Sequence, residues 1–328
     1  MTTSASPLIF GYSVSDNGEI SPISWGDVSK GPVQQPGKRV WVHLNRLAPE
    51  ARAWLAGTGG IDRIALDALF QEETRPRAII HGDGWLINLR GVNLNDGKQE
   101  DFMIALRIYV TESVLITTRA FKIRAAEDMD ARFVDGNPPA SNADAVIFLA
   151  DRLIARMEPI VETLSDKVDE LEETFMDGTN KFFKSDLARA RKQAISMRRF
   201  LLPQKEALAE LSDDQGPVFS NAHHRSFRET SNNLQRLSEE LEAVRDRSQI
   251  VQEMLIEQRS EAMNQRLFVL AIISAIFLPL GFVTGLFGVN VGGIPGTTSP
   301  WAFAILCIAL VGMGGGLYWL FRKLGWMD

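Results

Sequence analysis

From Leu267 to Phe287 (LFVLAIISAIFLPLGFVTGLF), and again from Trp301 to Phe321 (WAFAILCIALVGMGGGLYWLF), the chain has no charged position and no polar face. At about 1.5 Å per residue, each run is long enough to cross a hydrocarbon core of about 30 Å. A helix apolar on every side belongs in lipid or deep inside a large protein, and two in succession predict a pair of transmembrane helices over a buried hairpin. Both runs stand at the C-terminal end of the sequence, away from the place of a secretory signal. Trp301 and Trp319 lie near the ends of the second run, as interface anchors do.

Upstream the pattern changes twice. Up to about residue 140, the segments LIFGYSV, RVWVHLN, AIIHGDGWLINLRGV and FMIALRIYVTESVLITTR are rich in β-branched and aromatic residues and broken by Gly, Asn and Asp, which predicts strands. Ala48 to Phe70 carries a helical pattern interrupted by Gly57, Gly59 and Gly60, and Asp96-Gly97 is a hairpin signal. From about Asn142 onward the periodicity is helical, with breaks at Gly178 and around Gly216-Pro217. The last helix starts near Asn221. Leu234, Leu237, Leu241, Val244, Ser248, Val251 and Leu255 recur on it in steps of three and four, which is heptad spacing. That register runs on through Gln258, Ala262 and Gln265 into the first apolar run, with no Gly or Pro before Pro279. A helix of this length, on the order of 100 Å, needs neighbours, which argues for an oligomer; a dimerising coiled coil beside a plain anchor fits the same spacing.

Composition enters as a warning. The chain has 328 residues, 45% hydrophobic and 23% charged, with 35 Lys plus Arg against 41 Asp plus Glu for a net charge of -6. The mean hydropathy of -0.05 averages a polar body with an apolar tail and describes neither. The acidic balance disfavours nucleic acid as a partner. One cysteine, Cys307, excludes an internal disulfide and a Cys-cluster metal site. Arg259 and Arg266 precede the first span, Arg322 and Lys323 follow the second, and the loop between them is uncharged. The positive-inside bias therefore places both termini in the cytoplasm. Two spans per chain enclose no solute path, so any conduction requires a ring of subunits.

Candidate cation ligands cluster in one helix. Glu158, Glu162, Asp166, Asp169 and Glu173 share a helical stripe that would concentrate divalent cations; a solvated surface has the same pattern. His223-His224 opens the long helix, but adjacent side chains diverge by about 100° and chelate one ion poorly, which leaves a site shared between subunits or with the acidic helix. His43 and His81 lie in strand-like segments and read as structural. There is no GxxxxGK[ST] element and no catalytic constellation, so neither ATP-driven pumping nor enzymatic activity is expected.

Met263-Asn264, the apolar run with Pro279, and Gly288-Val289-Asn290 at its outer end together resemble the CorA family of divalent-cation transporters, whose two spans are joined by a Gly-Met-Asn signature. Here Val289 replaces the Met, and GVNVGGIPG looks like the ZntB branch, associated with zinc. EETRPR, Glu72 to Arg77, stands where members carry an Arg-Pro element. The resemblance implies a fold of an α/β cytoplasmic domain, long α-helices and two C-terminal transmembrane helices, assembled as a funnel-shaped homopentamer in the inner membrane. The organisation expected is an α/β domain over 1–140, acidic helices over 141–220, and a stalk helix over 221–287 whose end, 267–287, is the first span. A periplasmic loop over 288–300, a second span over 301–321 and a cytoplasmic tail over 322–328 complete it. Gly288, Val289 and Asn290 would form the outer mouth, and Asn264, Leu267, Leu270, Ser274, Leu278 and Gly281 the pore face.

That pore face holds no Asp, Glu, His or Cys, the side chains that bind zinc. A bare divalent ion would meet a prohibitive desolvation cost there, so the ion is expected to pass hydrated, with Asn290 amides and backbone carbonyls touching its water shell. The same Asn290 would also suit a helix C-cap. Leu267, Leu270 and Leu278 read as rings that close the path by dewetting, although bundle packing gives the same spacing. Gly312 and Gly316 form a GxxxG packing step. The expected cargo is Zn²⁺, with Cd²⁺, Ni²⁺ or Co²⁺ behind it and no separate cofactor. The alternatives are a Mg²⁺/Co²⁺ channel of the same family and a non-conducting membrane-anchored scaffold or sensor.

Overall fold

The computed structural model describes residues 6–72, 75–95, 103–176, 183–213, 216, 218–289, 291–296 and 298–325. The Asp96-Gly97 hairpin signal and Asn290 lie outside these residues. The chain forms two compact units, 1–252 and 253–328.

The first unit is built on a seven-stranded sheet. Its strands are β1 (Leu8–Ser15), β2 (Ile20–Pro22), β3 (Lys38–Asn45), β4 (Arg77–His81), β5 (Gly84–Val92), β6 (Met103–Val110) and β7 (Val114–Arg119), in the order β2-β1-β3-β7-β6-β5-β4. All neighbours are antiparallel except β3 and β7. Helices cover both faces, which explains why the central strands read as near-continuous apolar runs. On one face α1 (Trp25–Val28), α2 (Pro49–Ala56) and α3 (Arg63–Phe70) pack on Val40, Val42, Leu44, Val114 and Ile116. On the other face, α4 (Arg124–Val134), α5 (Asn142–Ala155), α6 (Glu158–Met176), α7 (Phe183–Asp213) and the first part of α8 (Asn221–Phe287) share a core with Trp41, Leu89, Leu106 and Ile108. Asn142 ties the start of α5 to the β6–β7 turn through Nδ2, 3.1 Å from Thr111 O and 3.2 Å from Glu112 O. The interrupted helical pattern over 48–70 resolves into α2 and α3, the second N-capped by Asp62, whose Oδ1 accepts from the N–H groups of Ile64 and Ala65.

The heptad face of α8 is satisfied within the chain. Phe227, Leu234, Leu237, Leu241, Val244, Ser248 and Val251 are buried. Polar ties on either side fix the register. Asp144 meets His223 at 3.3 Å, Asp151 accepts from Thr230 at 2.6 Å, Glu158 pairs with Arg236, and Asp169 pairs with Arg247 at 2.5 Å. Both partners rise in sequence together, so α5 and α6 run parallel to α8. Across α7 the order reverses: Arg191 reaches Gln252 at 3.1 Å, Arg198 reaches Glu242 at 3.0 Å, and Lys205 reaches Gln235 at 2.7 Å. These steps of six or seven residues, or of ten or eleven, are two or three helical turns, as packed parallel and antiparallel helices show. Up to Val251, the neighbours that so long a helix requires are therefore α6 and α7 of its own chain. This removes that stretch as an argument for an oligomer.

The second unit contains the remainder of α8, residues 253–287, and α9 (Ala302–Lys323). Both helices are long and apolar enough to cross a membrane, with mean hydropathy reaching 2.5 and 2.0.

Candidate functional site: an ion path along the first span, and the acidic face of α6

Within the second unit, α9 covers one side of α8. Ile272, Ile276, Pro279, Leu280 and Val283 are the partly buried positions of the first span; Ala302, Leu306, Leu310, Gly314, Leu317 and Phe321 are those of α9. Each set follows the three- and four-residue steps of a single helix face. A Cβ on Gly314 would stand 3.7 Å from Leu280 Cδ1. Gly312 and Gly316 have open space around them, so the small residue that admits the partner helix is Gly314, one helix face away from the GxxxG step. Cys307 is exposed. Lys323 Nζ lies over the Trp319 ring at 5.1 Å, joining a cation to an interface aromatic at the end of α9.

The opposite side of α8 is bare. At about 100° per residue, Leu267, Leu270, Ser274, Leu278 and Gly281 fall within roughly 45° of the direction diametrically opposite the α9 contact. Leu267, Leu270 and Leu278 are exposed, as are Ser274 and Gly281. Asn264 lies toward the edge of that face and is also exposed. The bare face carries one hydroxyl, and Ser274 Oγ donates to its own helix at Leu270 O, 2.9 Å away; its lone pairs remain to accept from water. At the outer end, Gly288 N donates to Thr284 O at 3.0 Å and Gly285 O at 3.2 Å, closing the helix. Val289 is exposed, and its carbonyl accepts from Val291 N at 3.0 Å. Gly293 and Gly296 take positive φ in the loop that returns to α9.

The acidic stripe of α6 is divided by its neighbours. Glu158 and Asp169 face α8 and pair with Arg236 and Arg247, and Arg247 also reaches Glu172 at 3.1 Å. Glu162, Asp166 and Glu173 point outward and are exposed. His223 stands 3.3 Å from Asp144, and its Nδ1 accepts from Ser220 N at 2.9 Å. His224 Nε2 is buried without a hydrogen-bond partner. Among the described residues, no three His, Cys, Asp or Glu side chains stand close enough together to hold a metal ion. The two strand histidines are structural. His43 is buried with Nδ1 2.7 Å from Thr117 Oγ1, and burial, aided by the charge of Arg119, holds its pKa well below the usual imidazole value. His81 Nε2 meets Asp62 Oδ2 at 2.7 Å.

The sequence profile of the CorA-like Mg²⁺ transporter family matches residues 37–323. The chain belongs to that family. It is therefore a membrane protein and a divalent-cation transporter, not an enzyme. CorA-family relatives align along almost the whole chain. A protein of Pseudomonas aeruginosa described as divalent cation transporter CmaX is 33% identical over 98% of this chain and 97% of its own length. A zinc transport protein, ZntB, of Pectobacterium carotovorum is 31% identical over the same shares. The structure of full-length CmaX superposes with a TM-score of 0.83 at 32% identity, covering 99% of this chain and all of that one. CorA membership and the α/β body with two C-terminal spans agree with what the sequence implied. The residues that organise the bare face, Leu280 and Gly314, were not singled out by sequence. A lone Gly within GMGGG gave no means of choosing which one meets the partner helix.

Proposed function

We propose that this chain moves divalent metal cations, Zn²⁺ foremost, through the inner membrane as a homopentamer, with both termini cytoplasmic and residues 288–300 outside. The observation that carries the reading is the bare face of α8. Every position from Ile256 to Ala271 is exposed, including Met263, Leu267, Phe268, Val269 and Leu270, and α9 covers only one side of the helix beyond. Five such faces turned toward one axis would cover one another and enclose a path.

The chemistry of that path sets the mechanism. It offers leucine rings, one serine and one glycine, and no strong metal ligand, so the ion keeps its first water shell. Wide and narrow zones alternate: Ser274 and Gly281 leave room for hydrated ions, and Leu267, Leu270 and Leu278 close it by expelling water. Gly288, Val289 and Asn290 form the mouth, where five neutral amides hold a hydrated cation without trapping it. On the cytoplasmic side, Glu162, Asp166 and Glu173 are the members of the acidic stripe left free of ion pairs with described residues, and they attract the arriving cations. Glu158, Asp169 and His223 remain candidate participants only if their present contacts are exchanged, and His224 only if its buried Nε2 is uncovered. The membrane potential drives a divalent ion inward by about 4.6 kcal/mol per 100 mV, so uptake needs no further machinery.

Zn²⁺ over Mg²⁺ is supported by the GVNVGGIPG segment and by the zinc transport relatives. Co-reconstitution with a zinc-sensitive dye tests the proposal. Zn²⁺ influx that Asn290→Ala strongly reduces is expected; influx unchanged by that substitution removes the loop from the mechanism, and no influx at all rejects zinc as cargo.

A further inference from the structure

One row of the sheet is polar where its neighbours are apolar. Thr118, Arg107, Asn88 and Arg77 are register partners across β7, β6, β5 and β4. Three of them donate to successive carbonyls of the segment that ends α3 and leaves it. Thr118 Oγ1 reaches Leu69 O at 2.8 Å, Arg107 Nη2 reaches Glu72 O at 3.1 Å, and Asn88 Nδ2 reaches Arg75 O at 2.8 Å. Such donors satisfy carbonyls that a helix end leaves without partners, but they do not neutralise a charge. Arg107 is only 3% exposed and pairs with no carboxylate among the described residues. Burial, together with the charges of Arg46 and Arg90, brings its pKa down to about 10.

Two residues with orphaned buried atoms line one recess. Arg107 Nε and Asn88 Oδ1 are buried with no hydrogen-bond partner, and both residues line a recess of about 10 Å³, the size of one water. The recess shares Ala68, Arg77 and Leu86 with an open cleft of about 540 Å³ between α3 and the β4–β5 hairpin. The cleft wall is apolar at Ile64, Phe70, Ile79 and Leu86, and its one carboxylate among the described residues, Asp67, is held by Arg52 at 2.7 Å. Among the described residues lining the cleft and its recess, Arg52, Arg77 and Arg107 against Asp67 leave two positive charges, in a chain whose net charge is -6.

We propose that this cleft binds a phosphorylated small molecule of nucleotide size, with its phosphate at the Arg77 end and its apolar body against Ile64, Phe70 and Ile79. A guanidinium at the mouth suits a phosphate fork, and two net positive charges attract a multiply charged phosphate more strongly than a single carboxylate. The cleft volume is that of small-ligand sites. One water in the recess accepts from Arg107 Nε, donates to Asn88 Oδ1, and turns its second O–H to the phosphate. Arg107 thus acts as a positioning residue whose charge reaches the ligand through that water.

The test is equilibrium dialysis of the full-length protein in detergent with EDTA, so that metal transport plays no part. ATP, adenosine and inorganic phosphate are the probes. Saturable ATP binding is expected, with inorganic phosphate competing and adenosine at least about tenfold weaker. Arg77→Gln, at an exposed position, is expected to weaken ATP about tenfold with an unchanged Tm, and Arg63→Gln to leave binding as in the parent. Arg107→Lys is expected to weaken it as well; if that variant does not fold, Arg77→Gln decides. No saturation at millimolar ATP, equal binding of adenosine, failure of phosphate to compete, or parental affinity in Arg77→Gln would each overturn the proposal.

Discussion

Leu280 of α8 seats on Gly314 of α9, its Cδ1 3.7 Å from where a Cβ on that glycine would stand. This contact lies on the side of the first span that α9 covers, opposite the face proposed for the ion. Gly314→Leu would force a branched side chain into occupied space, a cost of about 1–3 kcal/mol for overpacking. A lower Tm and loss of the proposed homopentamer in size-exclusion chromatography are expected. Gly281→Ala adds a methyl where nothing lies within 4 Å; it should keep the parental Tm and alter only the flux.

The leucine rings make a separate prediction. If Leu270 and Leu278 close the path by dewetting, a hydroxyl at either position admits water when the path should be shut. Leu278→Ser is expected to raise basal ion leak in liposomes at least severalfold, measured as dye quenching under a metal gradient at which the parent stays shut. Ile276→Ser, on the side facing α9, should lower stability without raising leak.

His43 gives the first unit a pH dependence with a defined sign. The imidazole is buried, and the imidazolium would hold an N–H at Nε2 where no acceptor stands among the described residues. Its folded pKa is depressed by burial and by Arg119, whereas the unfolded chain titrates near 6.5. The contribution is therefore complete above about pH 6.5 and lost as pH falls below it, by up to about 1.4 kcal/mol per unit. Comparing Tm at pH 7.5 and 5.5 checks this: the parent should lose more than His43→Gln.

The helix ladder should prove energetically uneven. Arg247 spans Asp169 and Glu172 on the surface, where an ion pair contributes about 0.2–1 kcal/mol, so Arg247→Ala should shift Tm little. Phe227 is wholly buried in the same interface, and Phe227→Ala should cost about 3–5 kcal/mol. Thermal unfolding of the two variants separates packing from charge.

Legibility in the sequence followed locality. The two spans and the strands β1, β3, β5, β6 and β7 announce themselves because an uncharged run or a β-rich run is complete within its own residues. β2, α1 and α4 do not. β2 and α1 span three and four residues, and α4 buries Ala125, Ala126 and Met129 beneath a charged exterior. The acidic stripe was readable as a stripe, but not its division, because Arg236 and Arg247 lie some 78 residues further along the chain. The row Thr118–Arg107–Asn88–Arg77 exists only once four strands take their register. Its one local sign was a charge set within the apolar strand LRIYV. For the pore face, helical phase was legible, but the direction it faces depends on where α9 packs.

The most direct measurement replaces Cys307 by Ser and then places a single cysteine at either Ser274 or Ile276, two positions about 200° apart on α8. Reconstituted protein is treated with a membrane-impermeant, cationic thiol reagent while metal flux is recorded. The account expects modification of Ser274→Cys, with flux blocked, and no effect on Ile276→Cys. Block at Ile276→Cys with Ser274→Cys untouched would place the water-filled path on the other side of the helix and contradict it.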